Sequence, residues 1–297
     1  MHASQDTPSL SRIRHVVLDM DGTIYMGKTP FPWTNPFLAS LDARGIGYTF
    51  LTNNPSKSAA DYLAHLARMG IPATPEQLYT SALATIDFLQ SNHPAMRRLF
   101  MLGTPSMIAE FEKAGYVSTA DNPAEIPDAV IAGFDMTLTY ARLCRASWWV
   151  AQGRPYFATN PDRVCPTDQP TVLVDCGAIC AAIQSATGRA PDRVFGKPDP
   201  TMVTGILRRH NLRPDEVAMV GDRIYTDIAM AQNAGVTGVL VLSGEATRAD
   251  AEASTVKPDI IVENLAALGE LIAAARPAVT PCPMNFQGRN KSHTPAT

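Results

Sequence analysis

The residues His15-Val-Val-Leu18, rich in apolar and β-branched side chains, stop abruptly at Asp19-Met-Asp-Gly-Thr23. A run of this kind closed by Asp and Gly reads as a buried strand ending in a turn. It leaves two carboxylates, Asp19 and Asp21, at the strand's C-terminal end, which is where ligands bind in an open α/β sheet. Carboxylates two residues apart suit a hard cation with oxygen ligands, such as Mg2+. They also suit a division of labour in which one attacks and the other moves a proton. Taken alone, Asp-x-Asp is equally a solvated turn, and the remainder of the chain has to decide.

That remainder alternates strand-like and helix-like pieces. Val16–Leu18 and Tyr48–Leu51 read as strands, and Ser58–Met69 as an amphipathic helix closed by Gly70. A second alternating unit runs from about Leu99 to Ile183 and includes strands at Arg98–Leu102, Ala129–Gly133 and Arg154–Thr159. A third returns with Val217–Val220, Gly238–Leu242 and Ile260–Val262. Strands alternating with helices predict an α/β fold with a doubly wound parallel sheet. Pro- and Asp-rich joints fall at Asn92-His-Pro94 and Arg189-Ala-Pro-Asp192, and 297 residues suffice for one large or two moderate domains. Beyond about Arg276 the periodicity stops, so 277–297 is expected to be a flexible tail.

Charge and cysteine content narrow the function. Lys+Arg 25 against Asp+Glu 28 gives a net charge of −3 with no basic stripe, which argues against nucleic acid or an anionic membrane as partner. No apolar run reaches the roughly 18 residues of a membrane span. The polar N-terminus lacks a signal-like apolar core, so a cytoplasmic protein is expected. The five cysteines include no zinc-type Cys-x-x-Cys pair. Cys176 and Cys180 share a face if helical, as buried reduced thiols or, alternatively, as a metal or redox pair.

Four segments share one character: each presents phosphate- or metal-binding groups beside an apolar run. The first is Asp19/Asp21. The second, Leu51-Thr-Asn-Asn-Pro55, offers the Thr52 hydroxyl and the amides of Asn53 and Asn54, which donate to phosphate oxygens without adding charge; it is also ordinary turn chemistry. The third, Gly196-Lys-Pro-Asp-Pro200, fixes Lys197 between glycine and proline, where its ammonium can neutralise a phosphate and an attacking carboxylate together. It is not a Walker loop. The fourth, Met219-Val-Gly-Asp-Arg-Ile-Tyr-Thr-Asp227, places Asp222 directly after a strand and Asp227 near a helix start. Asp227 suits a helix N-terminus by itself, but with Asp19 and Asp21 nearby an acidic metal cage is the better reading.

Asp-x-Asp-Gly-Thr, Thr-Asn-Asn, Gly-Lys-Pro and Gly-Asp-x4-Thr-Asp, in this order, resemble the haloacid dehalogenase (HAD) superfamily. Asp19-Met-Asp-Gly-Thr, Thr52-Asn-Asn-Pro, Gly196-Lys-Pro and Gly221-Asp-Arg-Ile-Tyr-Thr-Asp look like its type IIA branch, over about residues 13–275. That branch includes NagD-like, p-nitrophenyl phosphate, pyridoxal phosphate and phosphoglycolate phosphatases. The resemblance implies a HAD core from 1–90 and 192–276, with an inserted α/β C2-type cap over 91–191. It implies that Asp19 is the nucleophile, forming an aspartyl-phosphate, and that Asp21 protonates the leaving oxygen and then activates water. An acid at Asp21 implies phosphoryl transfer rather than dehalogenation. Thr52 and Asn53 would hold the phosphoryl group and Lys197 would screen its charge. Mg2+ would be bound by the Asp19 carboxylate, the Asp21 main-chain carbonyl and Asp222, with Asp227 orienting a metal water or Lys197.

Ala158-Thr-Asn-Pro-Asp-Arg-Val-Cys-Pro-Thr-Asp168 matches the position of the family's substrate-facing cap loop, which makes Asn160, Asp162 and Thr167 candidate specificity residues. Asp175 stands where relatives often carry a Gly-rich turn, and Trp148-Trp149 is expected in the cap core. The implied activity is a Mg2+-dependent phosphatase of small phosphorylated metabolites, with sugar, polyol or nucleoside phosphates and p-nitrophenyl phosphate all open, in a possible homodimer through the cap. Transfer to an acceptor other than water, as in a phosphotransferase or mutase, uses the same residues. A non-catalytic binding protein would be expected to have lost one of Asp19, Asp21, Lys197 or Asp222.

Overall fold

The computed structural model describes residues 10–166 and 171–276. Thr167, Cys282 and the tail expected over 277–297 lie outside the described residues. The doubly wound α/β reading holds. Six parallel strands lie in the order Ile260–Val262, Thr237–Val241, Val217–Gly221, His15–Asp19, Gly47–Thr52 and Leu78–Thr80.

All five residues of His15–Asp19 are buried, as a strand covered on both faces requires. Val16 and Leu18 pack with Phe37, Leu41 and Leu268. Val17 packs on the opposite face with Met202, Ile206 and Met219. These partners come from helices Thr34–Asp42 and Leu265–Ala275 on one side and Thr201–His210 on the other, with Met219 from a neighbouring strand.

Strand order reverses beside His15–Asp19. The chain moves outward through Gly47–Thr52 to Leu78–Thr80, then resumes on the other side at Val217–Gly221. Leu18 pairs with Val220, so Asp19 and Asp222 leave the sheet side by side. A crevice opens at such a switch point because successive connections turn to opposite faces.

A second parallel sheet is inserted between Leu78–Thr80 and Val217–Gly221. Its strands lie in the order Arg193–Val194, Tyr156–Ala158, Ala129–Ala132, Arg98–Leu102 and Val117–Ser118. Phe100 and Leu102 pack with Trp149, Ile179 and Ile183 on one face. Leu99 and Met101 pack with Ile86, Leu89 and Phe111 on the other. Arg193–Val194 carries this sheet three residues past 191, and Phe195-Gly196-Lys197 then leads back toward the first. The tryptophan pair divides: Trp149 is buried, whereas Trp148 is 40% exposed with the Arg145 guanidinium 5.3 Å from its ring centre.

The helix expected over Ser58–Met69 spans Ala59–Arg68, because Ser58 is its N-cap. The Ser58 side chain accepts from Asp61 N while Asp61 accepts from Ser58 N, a reciprocal box that satisfies two orphan amides. Gly70, at φ +70°, supplies the left-handed turn beyond its other end. No helix among the described residues is long and apolar enough to cross a membrane.

Candidate active site

The three expected metal-site carboxylates at the strand ends converge. One carboxylate oxygen each from Asp19, Asp222 and Asp227 lie within 4.8 Å of one another, all on buried residues. Asp19 terminates its strand, Asp222 follows Val217–Gly221, and Asp227 sits in the single π-helical turn Ile224–Ile228 just after it. Asp21 is separate: it is exposed, and its Oδ1 accepts from Gly27 N at 3.1 Å. Its side chain is therefore outside the three-carboxylate group, and only the main-chain contribution implied by the resemblance remains open for a cation.

Close backbone approach makes room for these acids. Gly22 lies at φ +86°, and a Cβ there would strike the Asp222 carboxylate; so would one at Gly244. The segment Ser243-Gly244-Glu245 was not singled out in the sequence, yet it braces the site. Ser243 Oγ donates to Gly22 O at 2.7 Å, and Glu245 N donates to Asp222 Oδ2 at 2.7 Å. Its signal was a small-residue turn directly after the strand Thr237–Val241, the same position in the sheet as the recognised motifs.

Lys197 enters this acidic group from the loop following the second sheet. Its Nζ donates to Asp19 Oδ1 and, at 2.7 Å, to Asp227 Oδ1. Burial alone would lower its pKa, but the two carboxylates hold the ammonium above the ordinary lysine value. Burial, and then the Asp19 charge, push Asp222 up to about 6. Burial raises Asp227 as well, with Asp19 and Asp222 adding to it against the pull of Lys197. Three carboxylates share one ammonium in this buried site, with the Arg223 guanidinium acting on Asp222 from beside it. Asp222 Oδ1 is buried without a hydrogen-bond partner among the described residues. An all-oxygen, carboxylate-rich set with an orphaned oxygen fits a hard divalent cation.

The second motif is arranged differently from expectation. Asn53 Oδ1 accepts from Lys197 N at 2.6 Å, while its Nδ2 donates to Lys197 O and to Asp162 Oδ2, both at 3.1 Å. Both side-chain amide protons thus rest on protein acceptors rather than facing a ligand. Asn54 Oδ1 accepts from Ser56 N at 2.9 Å, and Thr52 Oγ1 accepts from Asn54 N at 3.2 Å. These side chains shape the turn at the strand end, the alternative that Asn-Asn-Pro had left open.

From the second sheet, Asp162 reaches the site through Asn53, whereas Asn160 is fully buried behind it. Asn160 Nδ2 donates to Asp175 Oδ1 at 3.1 Å. Asp175 is the N-cap of helix Cys176–Thr187. On that helix the Cys176 and Cys180 sulfurs lie 3.9 Å apart, both buried.

Burial pushes Asp175 from 3.8 up to about 6, with Asp162 adding to the rise and the bonds from Cys176 N and Asn160 opposing it. An acid whose pKa rises on folding holds its proton more tightly when folded. Its stabilising contribution is complete below the unfolded value and is lost as pH climbs through the folded one. Asp175→Asn keeps an N-cap residue of equal rank. It is expected to gain stability relative to the parent between about pH 4 and about pH 7, by about 3 kcal/mol at most. Thermal melts of the two proteins across that window check this; a constant difference in Tm contradicts it.

The chain is similar to known proteins over most of its length. The family model described as haloacid dehalogenase-like hydrolase matches residues 16–117. A second, HAD-hydrolase-like model matches 194–268. The chain is 32% identical over 254 residues to the ribonucleotide monophosphatase NagD of Escherichia coli, covering 86% of this chain and 97% of that protein. The 4-nitrophenylphosphatase structure from Thermotoga maritima superposes with a TM-score of 0.84 at 38% identity, covering 89% and 99% of the two chains. A glycerol phosphate phosphatase from Mycobacterium tuberculosis, solved with magnesium, does so at 0.80 and 31% identity, covering 93% and 82%.

Proposed function

The chain belongs to the haloacid dehalogenase-like hydrolase family, in its NagD-like type IIA branch, and from that premise we propose that it hydrolyses phosphomonoesters of small metabolites through an aspartyl-phosphate on Asp19. One observation carries the reading. A buried lysine spans Asp19 and Asp227 while Asp222 keeps an unpartnered oxygen, so the site is poised to receive both a cation and a dianionic phosphoryl group. Phosphoryl transfer asks for little beyond alignment and charge neutralisation, and these residues offer both.

In this account Asp19 attacks phosphorus while Asp21, exposed at the mouth of the crevice, gives its proton to the leaving oxygen. Asp21 then takes a proton from the water that hydrolyses the acyl phosphate. Lys197 screens charge between Asp19 and the incoming phosphoryl group. Thr52, Asn53 and Asn54 receive phosphoryl oxygens at the end of Gly47–Thr52, Asn53 through its main chain because its side-chain amide is engaged. Asp19, Asp222 and the Asp21 carbonyl would hold a Mg2+ ion, with Asp227 behind them. Such an ion supplies charge neutralisation and orientation for the phosphoryl oxygens. The inserted unit, expected over about 91–191 with its sheet reaching Val194, serves as a cap that excludes water.

The substrates of the relatives, a ribonucleotide, an aryl phosphate and a glycerol phosphate, define the panel to try. Phosphate release is to be measured from nucleoside monophosphates, glycerol phosphate, sugar phosphates and p-nitrophenyl phosphate, each with Mg2+ and with EDTA. Release that EDTA suppresses is expected. Release indifferent to EDTA rejects the cation, and no release from any member rejects the hydrolase reading.

A further inference from the structure

We propose that Asp162 is a positioning residue: through Asn53 it ties the seating of the five-stranded unit to the placement of Lys197. The inference rests on the role assigned to Lys197 above and goes beyond it.

Asn53 grips the Lys197 main chain at both ends, accepting from its N–H and donating to its carbonyl. Few side chains do this, because the contact needs a donor and an acceptor on one planar amide. The remaining Asn53 proton goes to the Asp162 carboxylate, a charged acceptor and hence the stronger kind of partner. An asparagine from the first sheet's turn is thereby held between the lysine loop and the inserted unit.

The inserted unit holds Asp162 rigidly. Its main-chain oxygen accepts from Gly177 N at 2.7 Å, at the start of helix Cys176–Thr187. Gly177 has to be glycine for that approach, since a Cβ would strike Pro161 O. Asn160 Nδ2 lies between the Asp162 and Asp175 carboxylates, 3.4 Å and 3.1 Å away. At the lysine loop the fit is as close: a Cβ on Gly196 would lie 2.9 Å from Asn53 Oδ1 and 3.2 Å from Asn160 Cα. Hydrogen bonds joined through Asp162, Asn53 and Lys197 themselves therefore link the N-terminus of a helix in the inserted unit to the ammonium on Asp19.

The consequence is a dependence of catalysis on closure that does not pass through the substrate. With the unit seated, Asn53 has all its partners and Lys197 is fixed on Asp19 and Asp227. With it lifted, Asn53 loses its charged acceptor and the lysine loop loses a brace. Substrates that fill the cap and substrates that barely touch it should then depend on Asp162 to the same degree, which a residue contacting the leaving group would not produce.

The test compares Asp162→Ala, Asp162→Asn and the parent on p-nitrophenyl phosphate and glycerol phosphate, with hydrogen exchange of the segment 196–200 measured on all three. Asp162→Ala is expected to lower kcat by about ten- to a hundredfold on both substrates alike, the usual cost of a lost charge-assisted bond. It should also speed exchange at the Lys197 amide. Asp162→Asn keeps an acceptor for Asn53 and should recover most of both. A loss confined to glycerol phosphate, or an asparagine variant as impaired as the alanine one, overturns the positioning role. The exchange measurement does not need turnover: if the parent hydrolysed neither substrate the hydrolase reading would fall, while unchanged exchange in Asp162→Ala would separately overturn the coupling.

Discussion

Asp19→Asn is expected to reduce phosphate release by on the order of 10^4-fold or more, since it removes the nucleophile rather than an auxiliary group. The amide is nearly isosteric and still offers an oxygen to the Lys197 ammonium, so the ion pair with Asp227 remains and the fold should persist. One carboxylate fewer also relieves repulsion on Asp222, whose pKa is raised in part by the Asp19 charge. The variant should therefore melt no lower than the parent in the absence of metal. Steady-state turnover beside a thermal melt checks both halves. A folded variant that kept more than a small fraction of activity would remove Asp19 from the nucleophile's role.

Asp222→Asn is expected to change stability in opposite directions with and without metal. Burial and Asp19 lift Asp222 from 3.8 to about 6. The sign follows as for any acid whose pKa rises on folding: the favourable contribution is present below the unfolded value and gone above the folded one. In metal-free protein above about pH 6, the ionised carboxylate costs roughly 3 kcal/mol at most. Removing its charge should raise the metal-free Tm. In the parent, Mg2+ at about a hundred times its Kd should add about 2.7 kcal/mol, a Tm rise of several degrees in a chain of this size. The variant has one anionic ligand fewer, so that rise should shrink or vanish. Melts with Mg2+ and with EDTA measure it, and equal Mg2+ responses in the two proteins would exclude Asp222 as a ligand.

The sequence carried the carboxylate cluster because its signals are local. Asp19 ends one fully buried five-residue strand and Asp222 follows another, and an apolar run ending in Asp and Gly can be recognised without knowing its neighbours. Short strands were harder. Leu78–Thr80 and Val117–Ser118 are three and two residues long, too short for any period to register, and their pairing comes from the neighbouring strand. The role of Asn53 was invisible for another reason. Its partners Asp162 and Lys197 are 109 and 144 residues away, and nothing local distinguishes an amide aimed at a backbone from one aimed at a phosphate. The brace at Ser243-Gly244-Glu245 was missed likewise, since its target Asp222 lies 23 residues upstream of Glu245.

The most direct test of the aspartyl-phosphate is to trap it. Asp21→Asn cannot activate water, but p-nitrophenolate leaves without help from an acid, so this variant should form the intermediate and stall before hydrolysis. A single turnover of p-nitrophenyl phosphate with Mg2+, quenched in acid and mapped by mass spectrometry, is predicted to show one equivalent of p-nitrophenol and a phosphoryl adduct on the peptide containing Asp19. Release of p-nitrophenol together with free phosphate and no adduct, or an adduct on any other residue, would contradict the account.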